Sequence, residues 1–319
     1  FIIVFFVGKE SYFEGNKSKL GVDIRPKIIN DVKVLDKGQE EKEIDRDEIV
    51  SYASLDKAIE KSQRKNFLIL GMEDVRSDTM ILASLCKDNN KINMISIPRD
   101  TYIHRKGYDT GEQRKINSVY YDHGINGVKK TVSYILQGIP IHHYIMLDYE
   151  GVKAIVDSLG GVEVEVPFHM RYDDKYSNPP LHIDIPKGNQ NLNGQKAIEF
   201  LRYRKGNNKD GGYIDGDLGR IKAQQQFLKS LANKARKNVI TVIPKTFKYV
   251  KTDINIFKAL TYGKNIIGID NEDIEFKTLP GAGDLRKVKG KMFSYYIYDK
   301  EAIKQMLEEI YNVNKSNGD

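Results

Sequence analysis

The stretch Asn66-Phe67-Leu68-Ile69-Leu70-Gly71 holds four large apolar residues in a row, with no polar position between them, and ends at a glycine. A run this short and this apolar predicts a strand buried on both faces, as strands are in sheets covered by helices on each side. Working outward, Thr79 to Cys86 and Ile92 to Ile97 read as the next two strands, with Asp88-Asn89-Asn90 as the hairpin loop between them. Downstream the period changes. Val128, Val132, Ile135 and Leu136 fall on one side of a helix, and Lys129, Lys130 and Ser133 on the other. Ile141 to Leu147 reads as a strand and Tyr149 to Leu159 as a helix stopped by Gly160-Gly161. Val162 to Val166 is a strict Val/Glu alternation that Pro167 ends. Helices are expected at Gly194 to Arg204, Asp217 to Arg236, Ile256 to Ile267 and Lys300 to Tyr311, with a strand at Ile274 to Leu279. Alternation of this kind predicts an α/β fold, a mixed central sheet with helices on both faces.

The chain of 319 residues is 40% hydrophobic, enough for a sizeable core, and carries 51 Lys+Arg against 44 Asp+Glu, a net charge of +7. That sign suits anionic partners: nucleic acid, a membrane surface or phosphate-bearing substrates. Cys86 is the only cysteine, which excludes an intramolecular disulfide and a cysteine-based zinc site; it reads as a small buried hydrophobe. Phe1 to Val7 (FIIVFFV) is an apolar run shorter than the roughly 20 residues of a membrane span, and reads as the outer end of an anchor. The polar stretch Gly8 to Ser18 reads as a juxtamembrane stalk, and the charge-dense Lys33 to Glu48 as a surface connection. The expected organisation is an anchor remnant and stalk over 1–50, one catalytic domain over 51–312 and a frayed polar tail over 313–319.

Three polar clusters stand where strands or helices end, where function concentrates. In the first, Glu73 and Asp74 precede Arg76-Ser77-Asp78-Thr79; carboxylates in so short a loop could hold a hard cation such as Mg²⁺ or simply cap a turn. In the second, Pro98 ends strand pairing and releases Arg99 and Asp100 at a sheet edge, with Lys115 downstream. There the Arg99 fork could grip phosphate oxygens in pairs. In the third, Arg202 and Arg204 flank Tyr203, and Asp217-Leu218-Gly219-Arg220 opens the next helix, with Gln224 four residues beyond Arg220 on the same face. The Gly- and Asn-rich loop from Gly206 to Gly216 joins the two helices, so arginines and a helix start could together cradle a pyrophosphate.

These motifs, taken in order with Leu159-Gly160-Gly161-Val162-Glu163-Val164, Ala197 to Arg204 and Gln224-Gln225, resemble the LytR-CpsA-Psr family. The likeness runs from about Asn66 to Ala235, over half of the chain. It implies a single-pass membrane protein with its catalytic domain outside the cell, which moves a glycopolymer phosphate from an undecaprenyl-pyrophosphate carrier to a hydroxyl of peptidoglycan. Teichoic acid, capsular or related polysaccharide would be the polymer. By that likeness Arg76, Arg99, Lys115, Arg202, Arg204, Asp217, Arg220 and Gln224 bind the pyrophosphate, and Asp78 with a neighbour holds Mg²⁺ or Mn²⁺. The family often has Asp two residues after the first strand's glycine; this chain has Glu73, and either Glu73 or Asp74 could be the second metal carboxylate. Arg99, Arg202 and Arg204 would stabilise developing charge, while Asp78 or Asp100 would orient or deprotonate the acceptor. The polyprenyl tail needs an apolar slot, for which Val128 to Leu136, Val152 to Leu159 and Phe227 to Leu231 offer walls. Two rivals differ in class: a hydrolase or carrier-binding module using the same arginines, and a nucleic-acid-binding regulator. The second lacks any helix-turn-helix, zinc or RNP signature, so no nucleic acid is expected.

Overall fold

A computed structural model describes residues 54–313 apart from 87–89, 177–179, 208–210, 215–216, 268 and 270. The expected anchor, stalk and charged connection, most of the first hairpin loop and the tail after Val313 lie outside the described residues.

Helix α1 (Leu55–Lys61) leads into β1 (Lys65–Glu73), β2 (Arg76–Leu85) and β3 (Ile92–Ile97), an antiparallel meander. Helix α2 (Val119–Ile135), kinked at Gly124, then precedes β4 (His143–Leu147), which lies parallel beside β1, and α3 (Tyr149–Ser158). Two short antiparallel ribbons follow, β5 (Val162–Val166) with β8 (Gly188–Leu192) and β6 (Met170–Asp174) with β7 (Leu181–Ile185). Helices α4 (Gly194–Arg202), α5 (Asp217–Arg236) and α6 (Val239–Thr246), strand β9 (Val250–Thr252), helix α7 (Ile256–Ile267) and strand β10 (Ile274–Thr278) come next. A third ribbon of β11 (Gly281–Val288) and β12 (Lys291–Tyr298) precedes the closing helix α8 (Lys300–Ile310). The central sheet runs β10-β3-β2-β1-β4-β9 and is mixed.

The uninterrupted apolar run has the predicted cause. Leu68 and Leu70 of β1 pack with Val128, Val132 and Ile135 of α2 and with α8, while Phe67 and Ile69 face the layer of α3 to α7. Both faces of the sheet are thus covered by helices, and the α2 stripe read from its period is the buried one.

Three boundaries differ from expectation. The first strand continues past Gly71 to Glu73, and β2 begins at Arg76, so the supposed metal loop is a tight hairpin turning at Asp74, whose φ is 55°. A Cβ on Gly71 would approach the Thr79 Cβ to 3.0 Å; glycine here marks close backbone approach inside a strand, not its end. The Val162 to Val166 strand is real but pairs only with β8, outside the main sheet. The helix expected to reach Arg204 stops at Arg202, because Tyr203 turns extended (φ −63°, ψ 132°) and buries its ring beside Phe168 and Tyr213.

Candidate active site

Strands β1, β3 and β4 all point their C-terminal ends at one edge of the sheet, since β1 is parallel to β4 and β2 runs antiparallel to both β1 and β3. Side chains that leave this edge converge, as at the switch points of open α/β sheets. Glu73 comes from the end of β1, Arg99 from just beyond β3, and Asp148 and Tyr149 from the junction of β4 with α3. Asp78 arrives from β2 by a different device. The register passes from Gly71 opposite Thr79 to Met72 opposite Ser77, leaving Asp78 as the extra residue of a β-bulge. Bulges re-aim a side chain that regular pairing would place elsewhere.

Glu73, Asp78, Asp148 and Tyr149 line a cavity of 450 Å³, which Arg99 adjoins. Its polar rim carries Glu73, Asp78, Tyr149, Arg202, Arg204 and Arg220. Its interior is apolar, walled by Ile69 and Ile81 of the sheet, Val152 and Ile155 of α3, and Phe227 and Leu231 of α5. Leu181 and Tyr172 of the β6–β7 ribbon close it from the side. A charged rim over an apolar chamber fits a molecule with an anionic head and a hydrocarbon tail.

The rim is an interleaved set of charges. Arg99 Nη1 donates to Asp78 Oδ1 at 2.9 Å, and Arg204 Nη2 lies 3.9 Å from Asp78 Oδ2. Arg202 Nη2 donates to Glu73 Oε1 at 3.2 Å while its guanidinium stacks 5.0 Å from the centre of the Tyr149 ring. Arg220 is only 6% exposed; it lines the cavity with Gln224, and both also meet Arg99 in an adjoining crevice. Gln225 instead ties α5 to the sheet, donating to Ser96 Oγ at 3.2 Å and Thr278 Oγ1 at 3.2 Å. That contact sets the helix from which Arg220 and Gln224 project.

Glu73 and Asp78 hydrogen-bond to each other, and their titrations separate accordingly. Burial pushes the Glu73 carboxyl up, and the hydrogen bond and negative charge of Asp78 push it further. Burial also opposes ionisation of Asp78, yet its hydrogen bond with Glu73 and the Arg99 charge outweigh it and hold that carboxyl below its ordinary value. The pair therefore retains a proton on Glu73 more readily than an isolated glutamate would. Tyr149 donates to Glu73, and burial followed by the Glu73 charge pushes its phenol far up, so it stays a neutral donor.

Of the residues singled out from the sequence, Glu73, Asp78, Arg202, Arg204, Arg220 and Gln224 share the cavity, and Arg99 adjoins it. Others stand apart. Asp74 is exposed at the hairpin turn and does not line the cavity, so Glu73 is the carboxylate that meets Asp78. Arg76 lies exposed, 3.7 Å from Glu112. Lys115 Nζ is 3.1 Å from Asp100 Oδ1, a pair beside Arg99 but outside the cavity lining. Asp217 begins α5 as expected, though its side chain is outside the described set. The Val128 to Leu136 helix is no wall: α2 packs on the opposite side of the sheet. Sequence reasoning missed Tyr149 and Tyr172. Tyr149 had a signal, a helix opening directly at a strand's end with Asp148 as N-cap. Tyr172 had none, because the β6–β7 ribbon is mostly polar.

A sequence profile of the LytR_cpsA_psr family matches residues 28–312. The polyisoprenyl-teichoic acid–peptidoglycan teichoic acid transferase TagV of Bacillus subtilis (strain 168) is 31% identical over 235 residues, 70% of this chain and 58% of TagV. The chain thus spans just over half of that relative's length. TagU of Bacillus cereus, named for the same activity, is 33% identical over 264 residues, 78% of each chain. The crystal structure of B. subtilis TagV matches with a TM-score of 0.64 at 28% identity, covering 80% of this chain and 99% of that one. With the profile spanning most of its length and relatives of this similarity, the chain belongs to the LytR_cpsA_psr family.

Proposed function

We propose that this protein transfers a glycopolymer phosphate, of the teichoic acid kind, from a polyisoprenyl-pyrophosphate carrier to a hydroxyl of peptidoglycan. The observation that carries the reading is the union of three arginines and two carboxylates with an apolar chamber in one cavity. The relatives TagV and TagU, named as teichoic acid transferases, support it. Capsular or related polysaccharide is the alternative polymer of the same chemistry.

Each group has work that follows from its position. Arg202, Arg204 and Arg220 meet the two phosphates from one side and Arg99 from the other. In the resting site the guanidiniums of Arg99, Arg202 and Arg204 are held by Glu73 and Asp78, so these arginines are oriented before substrate arrives. Orientation in advance is what makes charge donors effective when charge builds on the leaving phosphate. The chamber of Val152, Ile155, Phe227 and Leu231 takes the first isoprene units and excludes water from the diphosphate. Asp78, ionised and lining the cavity, is the carboxylate placed to accept a proton from an acceptor hydroxyl; Asp100 lies outside the lining.

The Glu73–Asp78 pair fits a divalent ion, Mg²⁺ or Mn²⁺. Two carboxylates lie side by side at the cavity mouth, Glu73 pushed above its ordinary value and Asp78 held below it, and Mg²⁺ commonly takes one or two carboxylates with waters and substrate phosphates. Among the described residues no third ligand of the His, Cys, Asp or Glu type joins them. When bound, such an ion would neutralise phosphate charge.

Attachment to the membrane with the catalytic domain outside the cell belongs to the same proposal, resting on the apolar run Phe1 to Val7. Among the described residues no helix is long and apolar enough to cross a membrane.

The test is product analysis with a polyprenyl-pyrophosphate-linked glycan and peptidoglycan. Glycan phosphate joined covalently to peptidoglycan, and abolished by Arg202→Ala and by Arg99→Ala, is the expected result. Glycan phosphate released equally fast without acceptor would make the protein a hydrolase; bound but unchanged donor would make it a carrier-binding module.

A further inference from the structure

The β11–β12 ribbon is built with two unlike faces. Cross-strand partners share a face, so Arg286 with Phe293 and Asp284 with Tyr295 lie on one side, and Lys287 with Met292 and Leu285 with Ser294 on the other. The first side is fully employed. Tyr295 is buried, donates to the Gly111 carbonyl at 2.9 Å and meets Tyr102 edge-on at 5.2 Å. Arg286 stacks 4.8 Å over Tyr102 and pairs with Asp284 at 2.7 Å. A Cβ on Gly111 would lie 2.3 Å from the Phe293 ring, so the contact is close enough to require glycine.

The second side is anchored only at its root, where Tyr296 packs on the core and donates to the Leu279 carbonyl at 2.6 Å; towards the tip it is exposed. Leu285 is 67% and Met292 60% exposed, diagonal neighbours on the same face. Lys287 shares their face and Lys289 stands beyond it at the tip, both exposed and neither in an ion pair among the described residues, while Lys291, the partner of Val288, belongs to the first side. The tip is the two-residue turn Lys289-Gly290, both with positive φ (48° and 84°), a geometry that keeps the ribbon straight and narrow. Its root is hydrogen-bonded to the segment that follows Arg99: Tyr296 N–H donates to the Asp100 carbonyl at 2.9 Å, and Tyr102 N–H to the Tyr296 carbonyl at 2.8 Å. The ribbon therefore stands at a fixed distance from the rim of the cavity.

We propose that this face of the β11–β12 ribbon docks on an anionic lipid surface, with Leu285 and Met292 entering the headgroup layer and Lys287 and the tip residue Lys289 on lipid phosphates. Two large apolar side chains beside two lysines without ion pairs match a bilayer interface, where hydrocarbon lies under negative charge. A soluble polyanion would satisfy the lysines and leave Leu285 and Met292 in water. Docking there would hold the Arg99 side of the rim at the membrane surface, where the diphosphate of a lipid carrier resides. Only this purpose rests on the proposed transferase reading; binding to lipid is measured without transfer, so the two fail separately.

The test is co-sedimentation of the chain with vesicles of phosphatidylcholine, with and without phosphatidylglycerol. Residues 1–53 are common to every variant, so differences belong to the ribbon. The double change Lys287→Gln, Lys289→Gln should lower partitioning onto phosphatidylglycerol vesicles about 25-fold, from roughly fivefold per lysine, and leave phosphatidylcholine binding unchanged. Leu285→Ser with Met292→Ser should weaken binding to both compositions. An environment-sensitive dye on Met292→Cys should blue-shift on anionic vesicles, a readout that does not depend on loss. Wild-type binding by both multiple variants, with no dye shift, overturns the proposal. So does loss of binding to soluble polyphosphate alone, which would assign the ribbon to an anionic polymer, or conversion of a dimer to a monomer with vesicle binding intact.

Discussion

The two faces of the central sheet are made from alternate residues of the same strands and end in opposite states. On one face Leu68, Leu70, Met80 and Leu82 meet α2 and α8, and the interface closes without residue to spare. On the other, Ile69 and Ile81 look across an open chamber to Ile155, Phe227 and Leu231. Apolar composition alone does not distinguish the faces. What differs is the edge: on the open side Glu73 and Asp78 of the strands meet Arg202 at the end of α4, Arg204 just beyond it and Arg220 of α5 at the chamber's mouth. A sheet face left unfilled beneath converging arginines reads as a site; one filled to its rim reads as support.

That contrast can be broken by mutation, beginning where the effect is greatest. Arg202→Ala should lower the transfer rate by about 10²–10³-fold, the usual loss for one oriented charge donor, with the melting temperature little changed. Leu68→Ala on the closed face should do the reverse, costing about 2–5 kcal/mol of stability in denaturant unfolding while the folded fraction keeps its rate. Val152→Ala on the half-buried chamber wall should cost no more than about 1 kcal/mol, because that side chain already lacks neighbours on one side. Equal losses at Leu68 and Val152 would erase the distinction between the faces.

The rim carboxylates predict a pH dependence. Glu73 holds its proton to higher pH than an ordinary glutamate, so the proposed divalent cation would have to displace that proton to bind there. Cation affinity should therefore rise with pH through the raised Glu73 value, and calorimetry in buffers of different ionisation enthalpy should detect proton release. Binding without proton release would remove Glu73 from the metal site. The smallest expected change is Tyr149→Phe, which keeps the ring beneath Arg202 but removes the hydrogen bond that favours ionised Glu73. The cation-binding curve should move to higher pH, with a rate loss of roughly tenfold or less.

Much of this was legible in the sequence, for reasons that particular elements make plain. Phe67 to Leu70 and the stripe of Val128, Val132 and Ile135 announce their burial because hydrophobic period follows directly from how many faces are covered. Arg202 and Arg204 were legible as a pair, although the extended turn at Tyr203 that aims them was not. The bulge at Asp78 and the choice of Glu73 over Asp74 depend on strand register, which no local pattern carries. The ribbons of β6–β7 and β11–β12 escaped notice because their residues are mixed in polarity and gain order from docking on the rest of the molecule.

The claim on which the rest stands is that one cavity holds both the diphosphate and the start of its hydrocarbon tail. Calorimetric titration with inorganic pyrophosphate, geranyl, farnesyl and geranylgeranyl pyrophosphates measures it directly. Affinity should climb with each added isoprene until the 450 Å³ chamber is full, and collapse for all of them in Arg202→Ala. Equal affinity for inorganic pyrophosphate and its prenyl esters would contradict it.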